Sequence, residues 1–320
     1  MSWFNDRIKE KYAETSPFLL TAYIAGDTMS SRKQIVTGGV HMTNVIVITG
    51  GTGGMGFATA RKLSSRENTV ILLADLNGAA LANAKTALAG QAATIETVVC
   101  DITSEADVTY MADTAANLGH ISGVIHTAGV SPSMGDYRKI IAINALGTVN
   151  VDQAFIDLTD HNFSLVNVAS MPGYMLPKMM IPKHAYKTVD RDSEILYHRL
   201  LQRCQLLPKN RRAQMAYPLS KNFVMWYTEH ISPVYGSRGA HVVSVSPGSF
   251  DTSMGRLEKD KGAGAMVNYA AIKRFGTPQE VGDLLAYLVT DAPAYLTGTD
   301  ILIDGGVVGQ LRLRDMLSLT

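Results

Sequence analysis

The chain contains 320 residues, of which 46% are hydrophobic and 18% are charged, and its formal net charge is +1. This hydrophobic content suffices for a large core, so we expect folding to require neither a metal ion nor disulfide bonds. The balanced charge argues against nucleic acid or an anionic membrane as a partner. Two cysteines, Cys100 and Cys204, stand in unrelated contexts, which indicates a reducing compartment and predicts a cytoplasmic protein.

Residues 1–43 precede the first predicted strand, and we interpret them as an N-terminal extension. The most apolar stretch there, PFLLTAYIAG (17–26), has about half the length of a membrane-spanning helix. It also follows an acidic and basic segment rather than a short basic leader. We therefore expect no signal peptide and no membrane partner.

From residue 44 onward, short β-branched runs alternate with longer segments of helical periodicity. Continuous apolar runs are typical of strands that are covered on both faces, as in parallel sheets. The predicted strands are NVIVI (44–48), TVILLAD (69–75), TIETVV (94–99), ISGVIHT (121–127), FSLVNVA (163–169), HVVSVS (241–246) and TDILID (299–304). The alternation predicts an α/β protein with a doubly wound parallel sheet, in one domain spanning residues 44–320.

A glycine-rich segment, TGGTGGMG (49–56), follows the first strand and opens a helix near Gly54. Glycines at positions 50, 54 and 56 allow a tight turn and let the backbone approach a pyrophosphate, which the helix N-terminus then faces with free N–H groups. A glycine cluster alone is a weak signal, and a flexible turn is the alternative. Its position between a strand and a helix favours a dinucleotide site in a Rossmann fold.

Asp75 ends the second predicted strand, where such a fold places the acid that binds the ribose 2′-hydroxyl. A carboxylate there repels a 2′-phosphate, and neither Gly53 nor Leu76 supplies a compensating positive charge. We therefore predict NAD rather than NADP as the cofactor. The alternative is that Asp75 only caps the turn that follows.

The segment YPLSK (217–221) places Tyr217 and Lys221 four residues apart, on the same face of a helix. A free tyrosine has a pKa near ~10, and a nearby ammonium favours the phenolate. The pair therefore suits proton transfer, although this spacing also arises by chance. Pro218 lacks an N–H, so we expect it in the first helical turn or at a local kink.

These motifs, in this order, resemble the short-chain dehydrogenase/reductase family from Asn44 to the end of the chain. The further matching segments are HTAG (126–129), Asn144 in IIAINALG, Ser170 in LVNVASMPG, SPGSFDT (246–252) and TGTDILIDGG (297–306). The resemblance implies that Tyr217 is the general acid/base and that Ser170 hydrogen-bonds the substrate oxygen. It also implies that Lys221 holds the nicotinamide ribose and tunes Tyr217, while Asn144 keeps a proton path through water in place.

The resemblance also implies the residues that contact NAD. They are Gly50, Thr52, Gly54, Met55, Gly56, Asp75, Leu76, Asp101, Ile102, Ala128, Gly129, Tyr217, Lys221, Pro247, Gly248, Phe250 and Thr252. His126 stands where the family usually has asparagine. We interpret it as a structural substitution that hydrogen-bonds neighbouring backbone, and not as a catalytic base.

Ser170 and Tyr217 are separated by 47 positions, which is longer than the common family pattern. The insertion, residues 174–214, resembles that of the 3α-hydroxysteroid dehydrogenase/carbonyl reductase type. Two apolar features are predicted near it: a wall formed by Met171, Tyr174, Met175, Met179 and Met180, and an amphipathic helix with Ile195, Leu196, Leu200, Leu201 and Cys204 near one side. A substrate lid and a subunit interface remain open as its role. Its many basic residues fit either an anionic substrate tail or a solvated face.

Taken together, the sequence predicts an NAD-dependent enzyme that interconverts a secondary alcohol and a ketone, with a hydroxysteroid-like or other bulky apolar substrate. Two alternatives remain: a 3-oxoacyl-thioester reductase, and a dinucleotide-sensing protein that performs no chemistry. Apolar residues in the extension and in the tail VVGQLRLRDMLSLT favour a homo-oligomer, either a dimer or a tetramer.

Overall fold

The computed structural model describes residues 43–311, so the predicted extension, apart from Thr43, and the end of the tail lie outside the described residues. Seven strands form one sheet in which every neighbouring pair is parallel. They are β1 (Asn44–Thr49), β2 (Thr69–Asp75), β3 (Thr94–Val99), β4 (His120–His126), β5 (Ser164–Val168), β6 (His241–Pro247) and β7 (Thr299–Ile303). The predicted doubly wound α/β fold is therefore confirmed, with each strand within one residue of its predicted bounds.

Helices connect and cover the strands. The α-helices are α1 (Gly54–Leu63), α2 (Gly78–Ala87), α3 (Glu105–Leu118), α4 (Tyr137–Ile141), α5 (Gly147–Ile156), α6 (Lys183–Tyr186), α7 (Ser193–Gln205), α8 (Arg212–Ser237), α9 (Ser253–Glu258), α10 (Ala263–Met266), α11 (Pro278–Thr290) and α12 (Val307–Gln310). A π-helical segment, Ala142–Leu146, joins α4 to α5. Short 3₁₀ turns occupy Pro132–Met134, Met171–Met175, Lys178–Met180, Lys187–Asp190, Lys209–Arg211 and Lys259–Lys261.

The sheet separates two hydrophobic cores. In β1, Val45 and Val47 pack with α3, α5 and α8, whereas Ile46 and Ile48 pack on the other face with α1, α2 and α11. All four side chains are buried. Because successive strand residues point to opposite faces, a strand covered on both sides must be apolar throughout.

The strand order, β3-β2-β1-β4-β5-β6-β7, reverses direction between β1 and β4. The chain leaves β1 toward β2 and β3, and then crosses back to β4. The connections diverge there, which opens a crevice at the carboxyl ends of these two strands. The glycine loop, HTAG and the residues after β5 all lie at this end of the sheet.

The insertion packs on the chain's own helices α4 and α8. The predicted amphipathic helix is α7, which begins after Asp192 and buries Leu196, Leu200, Leu201 and Cys204. Ile195 is 41% exposed, so its assignment to that side is wrong. Ile195 immediately precedes Leu196, and successive residues of an α-helix point in directions about 100° apart, so Ile195 lies outside the apolar stripe.

The predicted methionine wall is also wrong as a single surface. Met171 is buried and Met175 packs beside it, whereas Met179 and Met180 are exposed. The Tyr174 hydroxyl donates to Asp300 of β7 at 2.7 Å, which ties this turn to the sheet.

Candidate active site

Three predicted catalytic side chains meet at the carboxyl end of β5. Ser170 follows this strand, and Tyr217 and Lys221 lie one turn apart on α8. The Tyr217 hydroxyl donates to Ser170 Oγ at 3.2 Å, and Lys221 Nζ donates to the carbonyl of Val168 at 2.8 Å. The fold thus brings together a phenol, a hydroxyl and an ammonium that the sequence separates.

Asn144 lies in the π-helical segment and joins the loop after β4 to α8. Its Oδ1 accepts from Val130 N at 2.9 Å, and its Nδ2 donates to Val130 O at 3.0 Å and to Ser220 Oγ at 3.2 Å. A Cβ on Gly129 would lie 3.3 Å from Lys221 Nζ and 3.2 Å from Asn144 Oδ1. Glycine at this position therefore leaves room for the lysine ammonium.

Burial controls the protonation of this cluster. It lowers the pKa of Lys221 to about 8. It raises the pKa of Tyr217, an effect opposed by the hydrogen bond to Ser170 and reinforced by the carboxylate of Glu258. The phenol is consequently protonated at neutral pH in this structure and is ready to donate a proton. Tuning of Tyr217 by Lys221 stays a prediction.

His126 has the structural role that was expected, but with different partners. Its Nδ1 lies 2.7 Å from Thr49 Oγ1 and its Nε2 lies 3.1 Å from Thr148 Oγ1, so it bonds two hydroxyls and not the predicted backbone groups. Burial, with a contribution from Lys221, lowers its pKa to about 3. The imidazole is therefore neutral and joins β1 to α5.

The glycine loop forms a cradle that side chains would fill. Gly50 has φ +64°, and a Cβ there would lie 2.8 Å from Ala128 N. A Cβ on Gly56 would lie 2.3 Å from the Gly50 carbonyl, and one on Gly54 would lie 2.8 Å from Thr252 Cγ2. No side chain caps α1, whose N-cap is Gly53. This arrangement fits a pyrophosphate held by backbone N–H groups.

Asp75 lies beside this cradle at the end of β2. Its Oδ2 accepts from Thr52 N at 3.1 Å and from Thr52 Oγ1 at 2.5 Å, which fixes the carboxylate against the loop. Leu76 is 68% exposed beside it. A partly exposed carboxylate in this place suits a ribose hydroxyl.

The other predicted contact residues divide into two groups around the cradle. Asp101 turns its carboxylate toward Thr103, accepting from N at 2.9 Å and Oγ1 at 2.7 Å, and Ile102 is buried over α5. On the far side, Pro247 O accepts from Ser170 Oγ at 3.5 Å. The Phe250 side chain is buried against Gly276.

The segment after β6 closes over the loop that follows β4. Glu258 Oε1 accepts from Ser133 N at 2.9 Å, and Lys261 Nζ donates to Ser133 Oγ at 3.0 Å. We name residues 253–261 the closing segment. Ser131 lies beside it, almost fully buried, and its hydroxyl helps to lower the pKa of the Glu258 carboxyl group.

Two family models match this chain. One, described as short chain dehydrogenase, matches residues 44–187, and the other, described as Enoyl-(Acyl carrier protein) reductase, matches residues 179–308. The Short-chain dehydrogenase/reductase bsc3 of Alternaria brassicicola is 30% identical over 82% of this chain and 94% of its own length. The chain belongs to the short-chain dehydrogenase/reductase family.

Two further similarities agree with this membership. The 3beta-hydroxysteroid dehydrogenase 2 of Eggerthella lenta is 25% identical over 81% of this chain and 93% of its own length. The structure of a short-chain type dehydrogenase/reductase from Mycobacterium ulcerans superposes with a TM-score of 0.66, at 20% identity, over 83% of this chain and 90% of that one. This member of the family is accordingly an oxidoreductase that acts on CH–OH groups of small molecules with NAD(P).

Sequence reasoning missed residues around this short-chain dehydrogenase/reductase site. Glu258 and Ser133 join the closing segment to the site. Glu258 stands in a run of charged residues, LEKDK, which reads as a solvated surface.

Two classes of feature are absent from residues 43–311. None of the helices there combines the length and the apolar character that a membrane span requires. Within the same range, no three histidine, cysteine or acidic side chains come together as metal ligands.

Proposed function

We propose that this short-chain dehydrogenase/reductase interconverts a secondary alcohol and a ketone, with Tyr217 as the general acid/base. The hydrogen bond between Tyr217 Oη and Ser170 Oγ, at 3.2 Å, carries this proposal. It sets a proton donor and a second hydroxyl side by side at the end of a cradle that fits a dinucleotide. A substrate oxygen placed between them receives both hydrogen bonds.

In the direction of ketone reduction, Tyr217 donates its proton to the carbonyl oxygen while Ser170 holds that oxygen by a hydrogen bond. A nicotinamide bound in the cradle would supply the hydride to the carbonyl carbon. Lys221 holds the ribose and adds positive charge one turn from the phenolate that remains. Asn144 fixes the loop of Gly129 against α8, next to Lys221. In alcohol oxidation the same proton returns to Tyr217.

We assign NAD as the preferred cofactor because Asp75 presents a carboxylate beside the glycine loop. Thr52 holds that carboxylate in place. A 2′-phosphate would meet this negative charge without an arginine or lysine from the loop. Tighter binding of NADPH than of NADH would contradict the assignment.

A hydroxysteroid-like or other bulky apolar alcohol is the substrate class that we favour. The support is the similarity to a protein named as a hydroxysteroid dehydrogenase, together with the insertion ahead of Tyr217. A 3-oxoacyl-thioester reductase is the second candidate, since the model that matches residues 179–308 is described as an acyl-carrier-protein reductase. Comparing free ketones with 3-oxoacyl thioesters as substrates separates the two. A dinucleotide sensor without chemistry is disfavoured by the Tyr217–Ser170 contact.

The test is a panel of steroid ketones, cyclic ketones and secondary alcohols, followed by coenzyme absorbance. We expect turnover in the wild type and a loss of 10²- to 10⁴-fold in Tyr217→Phe, the usual range for a missing general acid. NADH binding should persist in the variant, because the ring remains. Equal turnover in both proteins, with NADH bound, would refute the proposed mechanism.

We also propose a homo-oligomer in the cytoplasm. The edge strand β7 leaves Ile301, Leu302 and Ile303 only half-buried, and Tyr295 near it is fully exposed. Both cysteines are free and buried, as suits a reducing compartment. Light scattering at micromolar concentration tests the assembly, and a monomer would count against it.

A further inference from the structure

Tyr186 belongs to the insertion, and its buried hydroxyl contacts the turn of α8 that carries Tyr217 and Lys221. It ends α6 and is fully buried. Its ring packs on Phe223 and Trp226 of α8, with ring centroids 5.3 and 5.4 Å away. The hydroxyl lies 3.1 Å from Leu219 O and 3.0 Å from Asn222 Oδ1. Leu219 lies between Tyr217 and Lys221, and Asn222 follows Lys221.

Asn222 connects Tyr186 to the turn that follows Ser170. Its Nδ2 donates to Gly173 O at 2.9 Å, and Gly173 N donates back to Ser170 O at 2.9 Å. Gly173 belongs to the 3₁₀ turn that begins immediately after Ser170. A Cβ on Gly173 would lie 3.0 Å from Asn222 N, so this turn rests directly on the backbone of α8.

From these contacts we propose that Tyr186 is a positioning residue for the reaction, which holds the turn carrying Ser170 against the helix carrying Tyr217 and Lys221. It acts through Asn222 and does not touch the substrate. The inference rests on the proposed function. It gives the insertion a role inside its own subunit: the insertion sets the distance between Ser170 Oγ and Tyr217 Oη.

Two consequences for catalysis follow. A small displacement of Ser170 misplaces the substrate oxygen, and errors of about 1 Å in such sites can cost ~10²-fold in rate. Ser170 also lowers the pKa of Tyr217 through their hydrogen bond. A weaker bond therefore raises the pKa of Tyr217, while Glu258 on α9 and Lys221 on α8 remain as they are. The glycine cradle is untouched, so coenzyme affinity is unaffected.

The experiment compares Tyr186→Phe with Tyr235→Phe. Tyr235 is an equally buried tyrosine of α8, whose hydroxyl donates to Asp152 O at 2.6 Å, away from the site. We expect Tyr186→Phe to lower kcat by about tenfold, with an unchanged Kd for NADH and an alcohol-oxidation profile shifted to higher pH. Tyr235→Phe should change stability only. The probe is the ketone and alcohol pair that the wild type turns over fastest in the panel above.

Asn222→Leu provides a second test of the same route. We expect it to lower kcat and shift the pH profile in the same direction as Tyr186→Phe. The double variant should lose less than the product of the two single losses, because residues that act through one contact are not additive. If the loss of kcat in the double variant equals the product of the two single losses, Tyr186 does not act through Asn222.

Amide hydrogen exchange tests the proposal without a measurement of enzyme activity. The N–H of Gly173 should exchange faster in Tyr186→Phe than in the wild type or in Tyr235→Phe. If Tyr186→Phe matches Tyr235→Phe in kcat, pH profile and Gly173 exchange, the inference is overturned. If the wild type binds NADH but turns over no ketone, alcohol or thioester, the proposed function fails instead, and Gly173 exchange still decides whether Tyr186 positions the turn.

Discussion

Glu258 brings a negative charge close to the residue that must become a phenolate. Its carboxylate raises the pKa of Tyr217, and it is held by the backbone N–H of Ser133. In this position the carboxylate of Glu258 favours the protonated phenol. A phenol that keeps its proton suits ketone reduction better than alcohol oxidation.

We expect Glu258→Gln to shift the pH profile of alcohol oxidation toward lower pH. The amide keeps an oxygen for Ser133 N but removes the charge, so the pKa of Tyr217 falls and the phenolate forms at lower pH. Rates measured across pH with saturating NAD test this. Asp260→Asn removes a charge from the same segment and should leave the profile in place. An unshifted or alkaline-shifted profile for Glu258→Gln would count against the prediction.

Asp152 is a buried carboxyl group, and burial has the largest effect on its pKa. Burial raises its pKa well above the usual value, against the effect of its hydrogen bond from Asn167, whose Nδ2 lies 2.8 Å from Oδ2. The other carboxyl oxygen and Asn167 Oδ1 both lack partners among residues 43–311. The raised pKa and the carboxyl oxygen without a partner favour the protonated acid in the folded protein, which can act as a hydrogen-bond donor.

Asp152→Asn should consequently become more stable relative to the wild type as pH rises. The raised pKa means that the folded protein keeps a proton that the unfolded chain releases above about 3.8. The stability that this group contributes is complete below that pH and declines until the folded group ionises. Asparagine provides the same donor and does not titrate. Urea unfolding at several pH values measures the difference, with the exposed Asp113→Asn as control, and parallel stability curves would contradict it.

Among the elements, α8 contains two interior prolines, Pro218 and Pro233. Pro218 was expected in a first turn or at a local kink, and it lies in the interior of a helix that begins at Arg212. It therefore deprives the carbonyl of Gln214 of its helical donor. Pro233 does the same to Glu229, whose carbonyl accepts instead from Ser232 Oγ at 2.8 Å. Of the two prolines, Pro218 is the one next to Tyr217.

Pro218→Ala should raise the free energy of unfolding by about 1 to 3 kcal/mol, since it restores a helical hydrogen bond. Pro233→Ala should gain less, because Ser232 already serves that carbonyl. We expect kcat to fall only in Pro218→Ala, because only this change alters the helix backbone directly beside Tyr217. Denaturant unfolding and steady-state rates measure both effects. Equal gains in stability, or unchanged turnover in Pro218→Ala, would disagree with this account.

The strands and the shared helical face of Tyr217 and Lys221 were predictable for a local reason. Continuous apolar runs define strands buried on both faces, and the spacing of Tyr217 and Lys221 places them on one helical face. Contacts between residues that are far apart in the sequence were not predictable in the same way. The prediction for Ile195 was wrong because neighbouring residues of a helix point in different directions, so an exposed residue can stand next to the buried Leu196. The link from Tyr186 to Ser170 depends on how the insertion folds back on α8, which no periodicity encodes.

For the molecule as a whole, the cofactor assignment predicts a difference in stability. A ligand at 100 times its Kd raises the free energy of unfolding by about 2.7 kcal/mol. NADH should therefore raise the melting temperature at lower concentrations than NADPH, because Asp75 repels the 2′-phosphate. Asp75→Ser should reduce the difference between the two coenzymes. Equal stabilisation by both in the wild type would remove the role given to Asp75.

The long connection between Ser170 and Tyr217 also bears on how such an enzyme changes during evolution. The entropy of closing a loop grows only with the logarithm of its length, so doubling a connection costs about 0.6 kcal/mol. The burial of one aromatic side chain, such as Tyr186, exceeds that cost. Segments can consequently be gained or exchanged here with little loss of stability, provided that each replacement again braces the turn after β5.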